Sequence, residues 1–396
     1  MRSLFLQVVA VTLINLKSLP QRVWLSLSTV VAVGLVVMVL LSFLAMANGF
    51  RRTIEGSGAD DVAVVLRGGS QSELNSVVTR DQVRLIEEGA GIAKDADGKP
   101  LVSAELYLTV DGIKRSSQTK ANLPLRGIGP QGAALRRGIV VIEGRMFNPG
   151  SNEIVVGKGV RGEFAGFELG QTIAFNTSRW TVVGVFSAGG SVFESEIWGD
   201  LPVIQSLFKR TNVFQTIRAR LTGPAALAQL KSYAEADPRI KELDIKSEAE
   251  YFADQASRTS DLIQKLGWPL AIAMAFGALA GALNTMYSSV AARATEIATL
   301  HAIGFGGVPA FVGTLVESLV LATIGVALGA AATYAVFDGF TASTLGASFT
   351  QVVFSFQLSL ALIAQGVVLA LIVGLIGGLF PAIRAARMPI VAGLYG

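Results

Sequence analysis

The chain has 396 residues, 51% hydrophobic and only 16% charged, with a net charge of +4 and a mean hydropathy of +0.54. Soluble domains usually carry about a quarter charged residues, so the composition points to an integral membrane protein rather than a water-soluble one. With no cysteine and one histidine, disulfides and the usual metal-ligand clusters are excluded, and nothing in the charge pattern indicates nucleic-acid binding.

Residues 1–22 form an N-terminal segment carrying Arg2, Lys17 and Arg22. Val23 to Phe50 contains no charge, enough for the roughly 20 residues of a spanning helix, and we assign TM1 to 23–50. Its apolar core exceeds the 7–15 residues of a secretory signal, so it reads as an uncleaved anchor.

Residues 51–260 have ordinary globular composition and should form an extracytoplasmic α+β domain inserted between the first two membrane helices. Alternation and β-branched content predict strands at Val62–Leu66, Leu106–Val110, Gly138–Ile142, Ile154–Val156 and Trp180–Phe186. Asp111-Gly112 is a hairpin-turn signal. Helical patterns fit Arg80–Glu88 and Ala225–Ala236. Asp244 to Lys265 is polar, lacks Gly and Pro, and reads as a rigid helical stalk entering TM2 (261–290) rather than as a flexible linker.

A short helix closed by glycine is predicted at 291–306, overlapping the stretch NTMYSSVAARATEIATLHAIGF from Asn284 to Phe305. Wound at 3.6 residues per turn, it places Ala294, Thr295, Ala298, Thr299 and Ala302 on one side and Arg293, Glu296, Ile297, Leu300 and Ile303 on the other. The small side suits packing on the membrane helices, and the mixed side suits a soluble partner. TM3 follows at 307–337 with one charge, Glu317. Residues 338–356, rich in Ser, Thr and Gly, read as a loop, TM4 as 357–382 and 383–396 as a tail. The fold class is therefore an α-helical membrane protein with four transmembrane helices.

Basic residues set the orientation. Arg2, Lys17, Arg22, Arg293, Arg384 and Arg387 place both termini and the short helix in the cytoplasm. Arg51 and Arg52 oppose this, but they begin a large translocated domain, where the charge rule weakens. Gly277-x3-Gly281, Gly325-x3-Gly329 and Gly374 with Gly377 and Gly378 allow close backbone packing, either between two copies or within the four helices.

Catalytic chemistry finds little support. His301 reads as a surface or partner-contact residue, and GxxxxGK[ST] is absent, so the chain should not hydrolyse ATP alone. Glu317 is either a proton site or, the reading we adopt, a carboxylate hydrogen-bonded to a neighbouring helix, with no charged partner evident in the other helices.

The run SVAARATEIATLHAIG (Ser289–Gly304) resembles the SVxERxxEIGxLxAIG pattern that follows the second helix of MacB/FtsX-type (type VII) ABC transporter permeases. GRMF (Gly144–Phe147), NEIVVG (Asn152–Gly157) and WTVVGVF (Trp180–Phe186) look like that family's periplasmic core domain. Pro381, Ala382, Arg384, Ala385 and Ala386 resemble its PAxRAAxxxPxxAL ending, with Pro389 one residue early and Gly393 between Ala392 and Leu394. Ala292 stands where the family usually has Glu, and Ala298 where it usually has Gly.

The resemblance implies a split permease of a bacterial inner membrane. ATP and Mg would be bound by a separate ABC ATPase, present in two copies, and this chain would hold no cofactor or metal. A second permease would pair with the first. Arg293, Glu296, Ile297, Leu300, His301, Ile303 and Gly304 would form the ATPase-coupling surface. An efflux assembly with a periplasmic adaptor and outer-membrane channel is the leading function. The alternatives are a lipoprotein-release subunit of the LolC/LolE type and an FtsX-like regulator of a cell-wall hydrolase, whose inserts are much smaller.

Overall fold

The computed structural model describes residues 2–175, 177–346 and 350–390. Ala392, Gly393 and Leu394 of the C-terminal pattern lie outside them. The helices are α1 (Arg2–Lys17), α2 (Val23–Glu55), α3 (Arg80–Glu87), α4 (Lys158–Glu163), α5 (Leu201–Leu207), α6 (Ala226–Ala236), α7 (Glu248–Ala292), α8 (Ala294–Ala302), α9 (Gly307–Phe337) and α10 (Leu360–Ala386). The strands are β1 (Val62–Arg67), β2 (Val78–Thr79), β3 (Val102–Lys114), β4 (Lys120–Ile128), β5 (Val140–Gly144), β6 (Glu153–Gly157), β7 (Phe164–Ala165), β8 (Thr172–Phe175), β9 (Ser178–Ser187), β10 (Ile197–Asp200), β11 (Val213–Phe214), β12 (Thr216–Arg220), β13 (Leu243–Ser247), β14 (Thr341–Leu345) and β15 (Gln351–Ser355). They form two compact units, one of Met1–Asn48, Leu262–Phe340 and Phe356–Gly396, the other of Gly49–Asp261 and Thr341–Ser355.

In the first unit, α2, α7, α9 and α10 are the four helices among the described residues that are long and apolar enough to cross a membrane. Lipid provides no hydrophobic drive between them, so close backbone approach sets the packing. A Cβ on Gly329 would lie 2.5 Å from the Gly34 carbonyl oxygen of α2, and one on Gly325 3.0 Å from that of Val30. Gly374 and Gly378 meet Ala322 and Ser318 of α9 in the same way, and Gly377 meets Ala282 of α7. These glycines therefore pack within the four helices. Gly277 and Gly281 face open space. The N-terminal segment holds a helix the sequence reading did not assign: α1 runs against α9, where a Cβ on Gly313 would meet Asn15 at 2.8 Å.

Helix α7 has 45 residues, about 67 Å at 1.5 Å per residue, against roughly 30 Å of hydrocarbon. The expected helix leading into TM2 runs from Glu248 onward, but Asp244–Ser247 belongs to β13, the strand at one end of the sheet.

The second unit is an α+β domain. Eleven of its described strands form one sheet in the order β13-β1-β12-β3-β4-β10-β6-β9-β5, with β7 on β3 and β8 on β9, and β2 pairs with β11 apart from it. The β10–β4 and β6–β9 pairs are parallel. One core gathers Trp180, Phe164, Leu125 and Ile197, and another gathers Ile217, Ile86, Phe214 and Leu230. Helix α3 starts at a capping box, with Thr79 Oγ1 accepting from Gln82 N while Gln82 Oε1 accepts from Thr79 N.

Two expectations are corrected here. Asp111-Gly112 is not a turn: it continues β3 opposite Asn122 and Ala121, and the chain reverses at residues 115–119. Gly112 serves close packing instead, since a Cβ there would lie 2.4 Å from Leu123 Cδ1. The 338–356 segment is not a simple loop: β14 and β15 pair as a hairpin. Val353 of β15 enters the Trp180 core, and its N–H donates to Ser195 Oγ at 2.8 Å.

Gly329→Leu should therefore destabilise the folded protein by about 1–3 kcal/mol through overpacking against Gly34. Gly277→Leu should leave the thermal unfolding midpoint in detergent unchanged. Equal midpoints for the two variants would contradict this packing.

Candidate functional site

The predicted short helix is α8. Its C-terminus closes through Gly304, at φ +98°, with Gly304 N donating to His301 O at 3.1 Å and Phe305 N to Leu300 O at 3.0 Å. Its N-terminus begins at Arg293, whose backbone (φ −110°, ψ 12°) breaks the run from α7.

The two faces do not divide as periodicity suggests. Arg293, Ile297 and Ala298 are buried, whereas Thr295, Glu296, Thr299, Ala302 and Ile303 are exposed, Ile303 to 68%. Ile297 packs with Val290 of α7, Ala310 of α9 and Ala385 of α10. Charge decides the rotation. Arg293 is 5% exposed and turns inward to an acid it can neutralise. Its Nη1 donates to Glu317 Oε2 at 3.3 Å, its Nε to Glu296 Oε2 at 3.2 Å, and its Nη2 to Asn15 Oδ1 of α1.

Glu317 thus has a cationic partner, contrary to the sequence reading of a lone acid. It also accepts from Ser289 Oγ of α7 at 3.2 Å. Arg22 extends the cluster, donating to Ser289 Oγ and, at 2.6 Å, to Ser18 Oγ. Arg293, Glu296 and Glu317 are brought together, while Ile303 and Gly304 lie apart at the far end of α8. Leu300 is half-buried, and His301 Nδ1 lies 3.3 Å from Met388 O. On the exposed side, Thr295, Glu296, Thr299 and Leu300 form one wall of an open groove of about 630 Å³, and Ile14, Lys17, Ser18 and Gln21 form the other.

The inserted domain holds a second polar cluster, which sequence reasoning missed. Arg126 donates to Glu196 at 2.6 Å, Glu73 at 2.7 Å and Glu105 at 2.9 Å. Arg136 donates to Glu105 at 2.6 Å, and Arg218 donates to Glu73 at 2.9 Å and to Glu248, the first residue of α7. All seven are buried, with three guanidiniums facing four carboxylates. A signal for it was present: Glu105, Arg126 and Arg218 each interrupt an otherwise inward-facing strand pattern, as in Thr216-Ile217-Arg218-Ala219. Burial pushes the Glu105 carboxyl up, but the guanidiniums of Arg136, Arg126 and Arg218 outweigh it and hold the group at about 2. At Glu248 burial wins over Arg218 and raises the group above its ordinary value. Among the described residues, no group of His, Asp and Glu is arranged to hold a metal.

Four helices long and apolar enough to cross a membrane, a large α+β domain between the first two and a short helix between the second and third define the class: a multi-pass membrane protein. A family model described as the MacB-like periplasmic core domain matches residues 26–237, more than half the chain, and one described as the FtsX-like permease C-terminal matches 269–390. The chain belongs to the MacB/FtsX-type permeases of ABC transporters.

Macrolide export ATP-binding/permease proteins MacB from two strains of Campylobacter jejuni are each 24% identical over 239 residues, 56% of this chain and 34% of the relative. The chain thus matches about a third of the length of these curated relatives. Similar solved structures include the periplasmic region of MacB from Actinobacillus actinomycetemcomitans, at 16% identity and a TM-score of 0.37, covering 52% of this chain and 95% of that one. Another is the extracellular domain of the noncanonic ABC-type transporter YknZ from Gram-positive bacteria, at 17% identity and a TM-score of 0.35, covering 47% and 100%.

The buried cluster makes a pH-dependent prediction. Glu105 ionises near 2 when folded, against an ordinary 4.5. Its stabilisation is fully present above about pH 4.5 and lost as pH falls towards 2. Glu105→Gln leaves Arg136 without its acid and should cost about 3–5 kcal/mol at neutral pH. Fluorescence of the buried Trp180 and Trp198, followed against denaturant and pH, checks both; a variant as stable as wild type at pH 7 would refute the account.

Proposed function

We propose that this chain is the membrane permease of an ATP-driven transporter in a bacterial inner membrane, with both termini and α8 in the cytoplasm. A separate ABC ATPase, in two copies, binds ATP and Mg²⁺ and docks on the exposed side of α8. A second permease pairs with this one. Closure of the ATPases moves the α7 stalks, and the inserted domain changes shape to expel or extract an envelope substrate, with a periplasmic adaptor and an outer-membrane channel as further partners.

The observation that carries this reading is α8 itself. A nine-residue helix between two membrane helices presents Glu296 and Thr299 to an open groove, and Ile303 just past its end is exposed. An apolar side chain as exposed as Ile303 is covered more favourably by a partner than by water. The basic residues at the helix ends support the orientation.

Ile303→Asp places a charge in the docking face and should weaken ATPase binding at least tenfold. It is a surface change, so membrane insertion and the unfolding midpoint should stay within about 0.5 kcal/mol of wild type. Co-purification measures the binding; an ATPase retained at full stoichiometry would remove Ile303 from the interface. The purified chain alone should hydrolyse no ATP.

A further inference from the structure

We propose that Arg293 and Glu317 are positioning residues that fix α8 to the membrane helices, so that a push on its outer face is delivered to α9 and α1; this rests on the ATPase docking proposed above. An isolated helix of nine residues is unstable in water, so the direction of α8 is set by whatever holds its ends. The C-terminal end is held by the Gly304 closure and by His301 against Met388 O. The N-terminal end is held by one guanidinium whose acceptors come from three elements: Glu317 of α9, Asn15 of α1 and Glu296 of α8 itself.

Arginine is suited to this because its donors diverge in a rigid plane, which a lysine ammonium cannot reproduce. Ser289 at the end of α7 bonds the other oxygen of Glu317, and Arg22 bonds Ser289 and Ser18. The chain segments that enter and leave α8 therefore share one hydrogen-bonded hub with α1. At 5% exposure, Arg293 is covered by its own chain and unavailable to a docking partner. Glu296, with its side chain 61% exposed, faces outward and touches Arg293, which links the docking face to the hub. Ala292 supplies no acid of its own, which leaves Glu317 as the buried carboxylate for this charge.

The chain has no cysteine, so Gln21→Cys and Thr299→Cys, on opposite walls of the groove, can carry a spin-label pair in the full chain in lipid nanodiscs. With the hub intact the label distance should be narrowly distributed. The double variant Arg293→Gln with Glu317→Gln, which removes both charges and leaves none buried alone, should at least double the width, and Arg293→Lys should fall between. An unchanged width overturns the anchor. Using the ATPase recovered with the wild-type chain, the double variant should bind within twofold of wild type while permease-stimulated turnover drops about tenfold. Lost binding would make Arg293 a docking or folding residue, and unchanged turnover would make the pair simple packing; either overturns the proposal. Ile303→Asp should show the reverse pattern, weak binding with a narrow distance. If no ATPase binds the wild type, the docking reading fails, and the label widths still decide the anchor.

Discussion

A guanidinium that loses its water at the end of a membrane helix must be given an acid and enough acceptors, or the chain cannot keep it there. Arg293 satisfies that demand with Glu317, Asn15 and Glu296, and much of the helical unit is arranged around the result. Arg293 lies at the break between α7 and α8 and reaches α1 and α9 together, while Ile297 packs onto α9 and α10 and Ala298 is buried beside it in sequence. Small residues then allow the approach that the polar contacts need, as at Gly313 beside Asn15.

The inserted domain meets the same demand with more members. Three arginines and four glutamates are buried together, and aromatic rings lie against them: Arg126 lies over Tyr107, and Arg136 over Phe193 and Trp198. Such clusters contribute little net stability compared with apolar packing, yet breaking one member is costly, because the remaining charges stay buried. The cluster ties the segment carrying Glu73 to the strands carrying Glu105, Arg126 and Arg218, with Glu248 joining the start of α7 to them.

Much of this was legible in the sequence. Uncharged runs exposed the four membrane helices, because in lipid the backbone must bond internally and the side chains must be apolar. The stretch from Ser289 to Gly304 located α8 and its glycine closure. The orientation of α8 was not legible, since periodicity sorts residues by angle and not by which angle points inward; a buried ion pair with a residue in the next helix decided that. The hairpin at 341–355 was missed because its Ser, Thr and Gly content resembles a loop, and its partners in the Trp180 core lie far away in sequence. Asp111-Gly112 misled for a related reason: the glycine answers to Leu123 across the sheet rather than to a local turn.

The hairpin also sets an order of assembly. Val353 fills a place beside Trp180 and Ile197, its N–H satisfies Ser195, and Thr350 meets the Tyr107 hydroxyl at 3.3 Å. During synthesis the main segment of the domain emerges long before these residues, with α7, α8 and α9 made in between. Until β15 arrives, that core lacks Val353, and closing a loop of such length is a slow step. Sealing of that core therefore waits for the synthesis of α7, α8 and α9, with α10 still to come. A chain truncated after α7 would carry nearly all of the domain's sequence and still lack the strand that seals it.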